Sequence, residues 1–146
     1  MAKNVESFID GAVVTNDIMF TKLLQTLSNL QTSTTTTYAT ATPGSATSVQ
    51  NANQKRCYLV KTGKSVRCYC GIGYADGSTT IESGITLFTI PSGYRPKAMK
   101  IFPAVGYRAI GRVIPANLTY DTDGTITQTS AQDCVAITGC AEWDTD

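Results

Sequence analysis

The stretch CYLVKTGKSVRCY, residues 57–69, decides the fold class of the chain. Two runs of strand-forming residues flank Lys-Thr-Gly-Lys, which predicts a tight β-hairpin. If Thr62 and Gly63 form a two-residue turn, Leu59 faces Val66 and Cys57 faces Cys68. The face expected to be buried then carries Leu59, Val66, Cys57, Cys68 and Cys70. Tyr58 and Arg67 are expected to oppose each other on the exposed face.

Further short strands follow this hairpin along the chain. They are predicted at residues 85–90, 98–102, 108–114, 117–120, 125–129 and 134–140. Asp123-Gly124 between two of them is a strong hairpin signal. The prolines at 91, 96, 103 and 115 are expected at strand ends. Regularly spaced short strands predict an antiparallel β-sandwich or jelly-roll head over residues 55–146.

Residues 31–54 differ sharply in composition from the head. This segment has no charged residue, and eleven of its 24 residues are Ser or Thr. It therefore predicts a neck or a flexible linker. Because Thr and Tyr favour strands, residues 34–42 could also become extended if neighbouring chains supplied the pairing.

Residues 1–30 contain one amphipathic helix with a short apolar seam. Thr15 or Asn16 is the predicted N-cap, and Asp17 suits the positive end of the helix dipole. The seam has the three- and four-residue spacing of a helix interface and consists of Phe20, Leu23, Leu27 and Leu30. A helix this short needs a partner surface, either its own domain or copies of itself. The neck favours self-association or docking, so residues 1–30 are predicted to be a docking and trimerisation region.

Composition excludes several functional classes. Charged residues make up 16% of the chain, and 12 basic against 11 acidic residues leave a net charge of +1, which argues against a nucleic-acid partner. Histidine is absent, so neither a Ser-His-Asp nor a Cys-His site can form. We expect no enzyme activity, no catalytic residue, no cofactor and no metal. Charges interrupt every apolar run near the N-terminus, so we expect neither a secretory signal nor membrane insertion.

The five cysteines allow three interpretations. A zinc site from Cys68, Cys70, Cys134 and Cys140 has unsuitable spacings, because a Cys-x-Cys in a strand separates its α-carbons by about 7 Å. A Cys57–Cys68 disulfide is geometrically conceivable. Buried reduced thiols that act as small core residues are the favoured interpretation.

Three aromatic side chains are candidates for carbohydrate contacts. Tyr74, Tyr107 and Trp143 could each stack on a sugar ring, although a single aromatic residue more often packs in a core.

Three motifs resemble the C-terminal β-domain of tail, baseplate and fibre proteins from bacteriophages that infect Gram-positive bacteria. They are LFTIPSGYRPK at residues 87–97, IFPAV at residues 101–105 and DTDGTI at residues 121–126. Residues 10–17 before the Leu-rich helix also resemble the attachment region of small phage receptor-binding proteins. The resemblance implies a homotrimer with an N-terminal docking region, a narrow neck and a β-sandwich head, and it carries over no catalytic residue.

The sequence and this resemblance together predict a virion protein of the tail tip or fibre, assembled in the host cytoplasm. Its trimeric head is expected to bind host cell-wall saccharide, and its N-terminal region to bind other virion proteins. The alternative is a structural virion protein that does not adsorb to the host, such as a head fibre or a capsid decoration protein. A polysaccharide-cleaving enzyme would need two positioned carboxylates in a cleft.

Overall fold

A computed structural model describes residues 19–29, 35–74, 79–108 and 112–146. The chain divides into two compact units, Met1–Thr35 and Thr36–Asp146. The first unit contains a helix, α1, at residues 19–29. This confirms the short N-terminal helix, while Leu30 and the predicted N-cap residues lie outside the described residues.

The second unit is mainly β-structure. Its strands are β1 (Thr36–Thr40), β2 (Thr42–Pro43), β3 (Gln54–Thr62), β4 (Ser65–Gly73), β5 (Thr86–Thr89), β6 (Lys100–Arg108), β7 (Arg112–Tyr120), β8 (Thr125–Gln128) and β9 (Ala136–Asp144). A five-residue helix, α2 (Thr47–Asn51), lies between β2 and β3. All strand pairs are antiparallel, which confirms the predicted fold class of a mainly β, antiparallel head.

The strands form one sheet that curls until its edges nearly meet. Their order is β1-β3-β4-β9-β6-β7-β8-β5-β2, so β1 and β2 lie at opposite edges. Only Ala41 separates these two strands in sequence, and its amide donates to the carbonyl of Cys57. The two edges are therefore adjacent, and the sheet is a nearly closed barrel whose walls pack across one interior.

The boundary predicted after residue 54 differs from the one in the structure. β1 pairs along its whole length with β3, from Thr36 against Thr62 to Thr40 against Tyr58. Residues 34–42 were expected to become extended if neighbouring chains supplied the pairing. In the structure, residues 36–40 are extended and pair with β3 of the same chain, so residues 36–40 belong to the barrel. Residues 31–34 of the predicted neck lie outside the described residues.

The β3–β4 hairpin forms with a register one step from the predicted one. Gly63 and Lys64 are the turn residues, since Thr62 faces Ser65. Gly63 has φ of 60°, the left-handed conformation that a two-residue hairpin turn requires at its first position. Cys57 therefore faces Cys70 rather than Cys68, and Tyr58 faces Tyr69 rather than Arg67. Shifting the turn by one residue moves each facing pair by two, so the buried face is the predicted one.

Two prolines lie inside strands rather than at their ends. Pro103 in β6 faces Asn117, and Pro115 in β7 faces Val105. β9 pairs with β6 only over Ala104–Tyr107, and β8 pairs with β7 only over Leu118–Tyr120. Each proline is therefore in a stretch with one unpaired side, where its missing N–H leaves no gap in a ladder.

The barrel interior is lined by the alternating residues of these strands. Its largest fully buried side chains include Tyr120, Phe88, Leu59 and Ile72. Four of the five free cysteines are buried as small core residues, and Cys140 is exposed. The sulfurs of Cys57 and Cys68 lie 3.6 Å apart without a bond between them.

No helix among the described residues is long and apolar enough to cross a membrane.

Candidate functional site

Two glycines of β4 form the floor of a cavity on the outer face of the barrel. Strand residues alternate between faces, so Gly71 and Gly73 point outward while Cys70 and Ile72 point into the core. Both glycines lie between two neighbouring strands, β3 on one side and β9 on the other. The resulting cavity of about 300 Å³, here called the glycine trough, is lined by Gln54, Arg56, Gly71, Ile72, Gly73, Tyr74, Ala136 and Thr138.

The walls of the trough follow from the pairing register. Arg56 faces Gly71, which in turn faces Thr138. Gln54 likewise faces Gly73, which faces Ala136. In both cases, a polar side chain of β3 lies beside a glycine of β4, which has no side chain.

Among the described residues, Arg56 supplies all the formal charge that lines the trough. Arg56 is exposed and makes no ion pair and no side-chain hydrogen bond with the described residues, whereas the neighbouring Lys55 ammonium donates to the carbonyl of Gln50. No carboxylate of a described residue lines this cavity. The trough is consequently a positively charged depression with an apolar floor.

Two of the three predicted aromatic contacts lie at this end of the barrel. Tyr74 lines the trough, and its hydroxyl donates to the carbonyl of Ser48. Tyr107 is half-buried on the outer face of β6 and lies opposite Ala136. The amide of Tyr74 donates to the carbonyl of Val135, and the amide of Val135 donates to the carbonyl of Tyr107. The start of β9 therefore lies between the two tyrosines.

Trp143 does not join these tyrosines. It is 4% exposed, its ring centroid lies 5.2 Å from that of Tyr120, and its indole N–H donates to the carbonyl of Tyr94 at 2.8 Å. It lies seven positions along β9 from Ala136, a distance of about 23 Å along an extended strand. Its ring packs in the core, so little of its surface is open to a sugar.

A second cavity lies at the Trp143 end of the barrel. Its volume is about 430 Å³, and it is lined by Ser65, Lys97, Ala98, Lys100, Phe102, Glu142, Trp143 and Asp144. The Glu142 carboxylate accepts hydrogen bonds from Arg67 and Ser65, and these bonds hold its pKa below the ordinary value. A general acid for glycoside hydrolysis needs a raised pKa, whereas the pKa of Glu142 is lowered.

The described residues of the predicted trimer seam lie on the exposed surface of α1. Phe20, Leu23 and Leu27 are 60%, 53% and 51% exposed, and Met19 and Leu24 are also more than half exposed. Leu30, the fourth predicted seam residue, lies outside the described residues. The described part of the seam is therefore apolar surface in contact with solvent.

Sequence reasoning missed the polar wall of the trough. The visible signal was Gly71-Ile72-Gly73, because a glycine within a strand often marks a close approach or an open surface. Arg56, Gln54 and Thr138 carry no such signal. That these three side chains lie together can be seen only once β3, β4 and β9 are known to be neighbours in the sheet.

No metal site is formed by the described residues, since no three of their His, Cys, Asp or Glu side chains converge. Asp121 and Asp123, which resemble a fragment of a calcium loop, serve the β7–β8 turn instead. Asp123 accepts hydrogen bonds from the amide and hydroxyl of Thr125, and these bonds lower its pKa. The Asp123-Gly124 hairpin is confirmed, with Gly124 at φ of 93°.

Comparison with known proteins gives a structural match alone. No protein-family model and no curated protein matches the sequence. Among solved structures, the chain is similar to the crystal structure of the receptor binding protein (gp15) of Listeria phage PSA. The TM-score is 0.51 at 16% sequence identity, over 99% of this chain and 88% of that chain. The resemblance to phage appendage proteins is thus confirmed at the level of the fold, which this chain shares with a phage receptor binding protein.

Proposed function

We propose that this chain is a phage virion protein whose β-barrel head binds carbohydrate on the surface of a host bacterium. The observation that carries the proposal is the fold shared with a phage receptor binding protein along 99% of the chain. The glycine trough supports it, because an aromatic side chain beside amide, hydroxyl and guanidinium groups suits a sugar.

Self-association completes the proposal. The exposed seam of Phe20, Leu23 and Leu27 suits a three-helix bundle, in which each apolar side chain is covered by sister helices. A trimer carries three barrel heads, so weak contacts with a repetitive wall polymer add up through avidity. The N-terminal region would then attach the trimer to other virion proteins.

The alternative function is structural. A head fibre or decoration protein could use the same helix and barrel without any receptor. The glycine trough favours receptor binding, because a purely structural protein has no need of an open cavity whose wall carries an arginine that no described residue pairs.

Binding of the labelled full chain to purified cell walls from a panel of Gram-positive bacteria tests the proposal. We expect saturable binding to at least one wall, with competition by the saccharide released from that same wall. A folded chain that binds none of the walls saturably would support the structural alternative. The same incubations measure reducing ends, and their release would identify the chain as a glycosidase instead of a binding protein.

A further inference from the structure

We propose that the glycine trough binds a single sugar unit that carries an anionic group, a carboxylate or a phosphate. This inference rests on the proposed function and names the site and the chemical class of its ligand. The cavity of about 300 Å³ is at the small end of ligand pockets, which span roughly 300–1,000 Å³. That size suits one ring rather than a long oligosaccharide.

The positive charge of the lining favours a ligand that carries an anionic group. Among the described residues, Arg56 is the one charged side chain in the lining, and none of the others pairs with its guanidinium. Arg67, four strand positions further along the hairpin in β4, is by contrast held 3.0 Å from Glu142. A planar guanidinium with all its donors available binds carboxylate or phosphate through paired, charge-assisted hydrogen bonds.

The uncharged residues of the lining suit a sugar ring and its hydroxyl groups. The Gln54 amide and the Thr138 hydroxyl can each donate and accept, as sugar hydroxyls require, and neither hydrogen bonds through its side chain to another described residue. Gly71, which is half-buried and has no side chain, leaves a flat floor that a ring can approach closely. The second cavity differs, because Glu142 and Asp144 offset Lys97 and Lys100 there.

Gly71 provides a specific way to close the trough. A Cβ at this position would lie 3.4 Å from Cγ2 of Thr138, an ordinary van der Waals contact, and Gly71 has no positive φ. Gly71→Val therefore fills the floor while suiting the strand. Arg56→Gln removes the charge at similar length, and Lys100→Gln removes one charge from the second cavity as the matched control.

The experiment titrates the isotope-labelled full chain with glucuronic acid, glucose 6-phosphate, glucose and inorganic phosphate, followed by amide and Arg Nε resonances. We expect the two charged sugars to shift the resonances of Gly71, Gly73 and Arg56. They should bind at least about tenfold more tightly than glucose, as one charge-assisted contact provides. Arg56→Gln should remove this preference, Gly71→Val should abolish binding, and Lys100→Gln should change neither.

Several results would overturn the assignment. These are equal affinity for glucose, shifts confined to other residues, or unchanged binding by a folded Arg56→Gln protein. Inorganic phosphate that binds as tightly as the sugar phosphate would also overturn it, since the sugar would then contribute nothing.

Wall binding separates the two proposals. Charged sugars in the trough without adsorption to any wall would reject the proposed function alone, whereas wall adsorption that Arg56→Gln and Gly71→Val leave intact would reject the trough alone.

Discussion

At the scale of single residues, Gly71 and Gly73 share one face of β4 but differ in the space around them. A Cβ on Gly73 would lie 2.5 Å from Cβ and 3.1 Å from Cα of Ala136, whereas a Cβ on Gly71 has room beside Thr138. We expect Gly73→Ala to lower the free energy of unfolding by about 1–3 kcal/mol through overpacking. Gly71→Ala should leave it unchanged or raise it slightly. Urea denaturation of both variants checks this, and equal effects would contradict the packing argument.

Buried thiols make stability depend on pH. Burial raises the pKa of the Cys70 thiol from 9.0 to about 12. Burial also raises the pKa of the Tyr120 hydroxyl, which lies 3.9 Å from the Cys70 sulfur. Because the folded state holds these protons more tightly than the unfolded state, the Cys70 contribution is complete below about pH 9. It is lost as the pH rises from 9 to 12, at about 1.4 kcal/mol per pH unit for one proton.

Unfolding measured between pH 7 and 10.5 in reducing buffer tests this dependence. The free energy of unfolding should fall above pH 9, and Cys70→Ala should make the fall less steep by roughly one proton. Ile72→Val trims the same buried face without removing a proton, so it should keep the wild-type slope. A wild-type stability that stays flat to pH 10.5 would be inconsistent with neutral thiols in the core.

At the scale of elements, α1 presents its apolar residues to solvent in the single chain. If sister helices cover them, Leu23→Glu with Leu27→Glu should convert the trimer to a monomer, because charges in a helix seam are poorly solvated. Gln25→Glu adds a charge to the same helix outside the predicted seam and is the control. Sedimentation equilibrium gives the mass, and a wild-type monomer at micromolar concentration would reject the bundle.

The elements also show what local sequence can predict. The β3–β4 and β7–β8 hairpins follow from strand-forming residues around glycine turns, and the buried face of the β3–β4 hairpin was correctly predicted. The one-step error in the β3–β4 turn arose because Thr62-Gly63 and Gly63-Lys64 both contain the residue that accepts a positive φ. The internal positions of Pro103 and Pro115 depend on where β8 and β9 stop pairing, which no local pattern records.

At the scale of the whole molecule, the barrel closes through contacts that are distant in sequence. β1 joins β3 and β2 joins β5, yet residues 36–43 consist mainly of Thr and Ala without the alternation that marks a buried face. Composition therefore predicted a neck where the structure has both edges of the sheet. The glycine trough depends on the same assembly, since Arg56 and Thr138 come from strands that meet only across β4. The candidate tyrosines were identifiable from residue type, but their shared location was not.

Adsorption of the full chain to its cognate cell wall, compared with the Leu23→Glu/Leu27→Glu variant, tests the central claim most directly. The claim is that the helix gathers several heads, each of which binds saccharide weakly. We predict that the variant loses roughly a hundredfold in apparent wall affinity, while the charged-sugar titration of its barrel stays unchanged. Equal adsorption of a trimeric wild type and a monomeric variant would contradict multivalent receptor binding, as would a wild type that adsorbs to no wall.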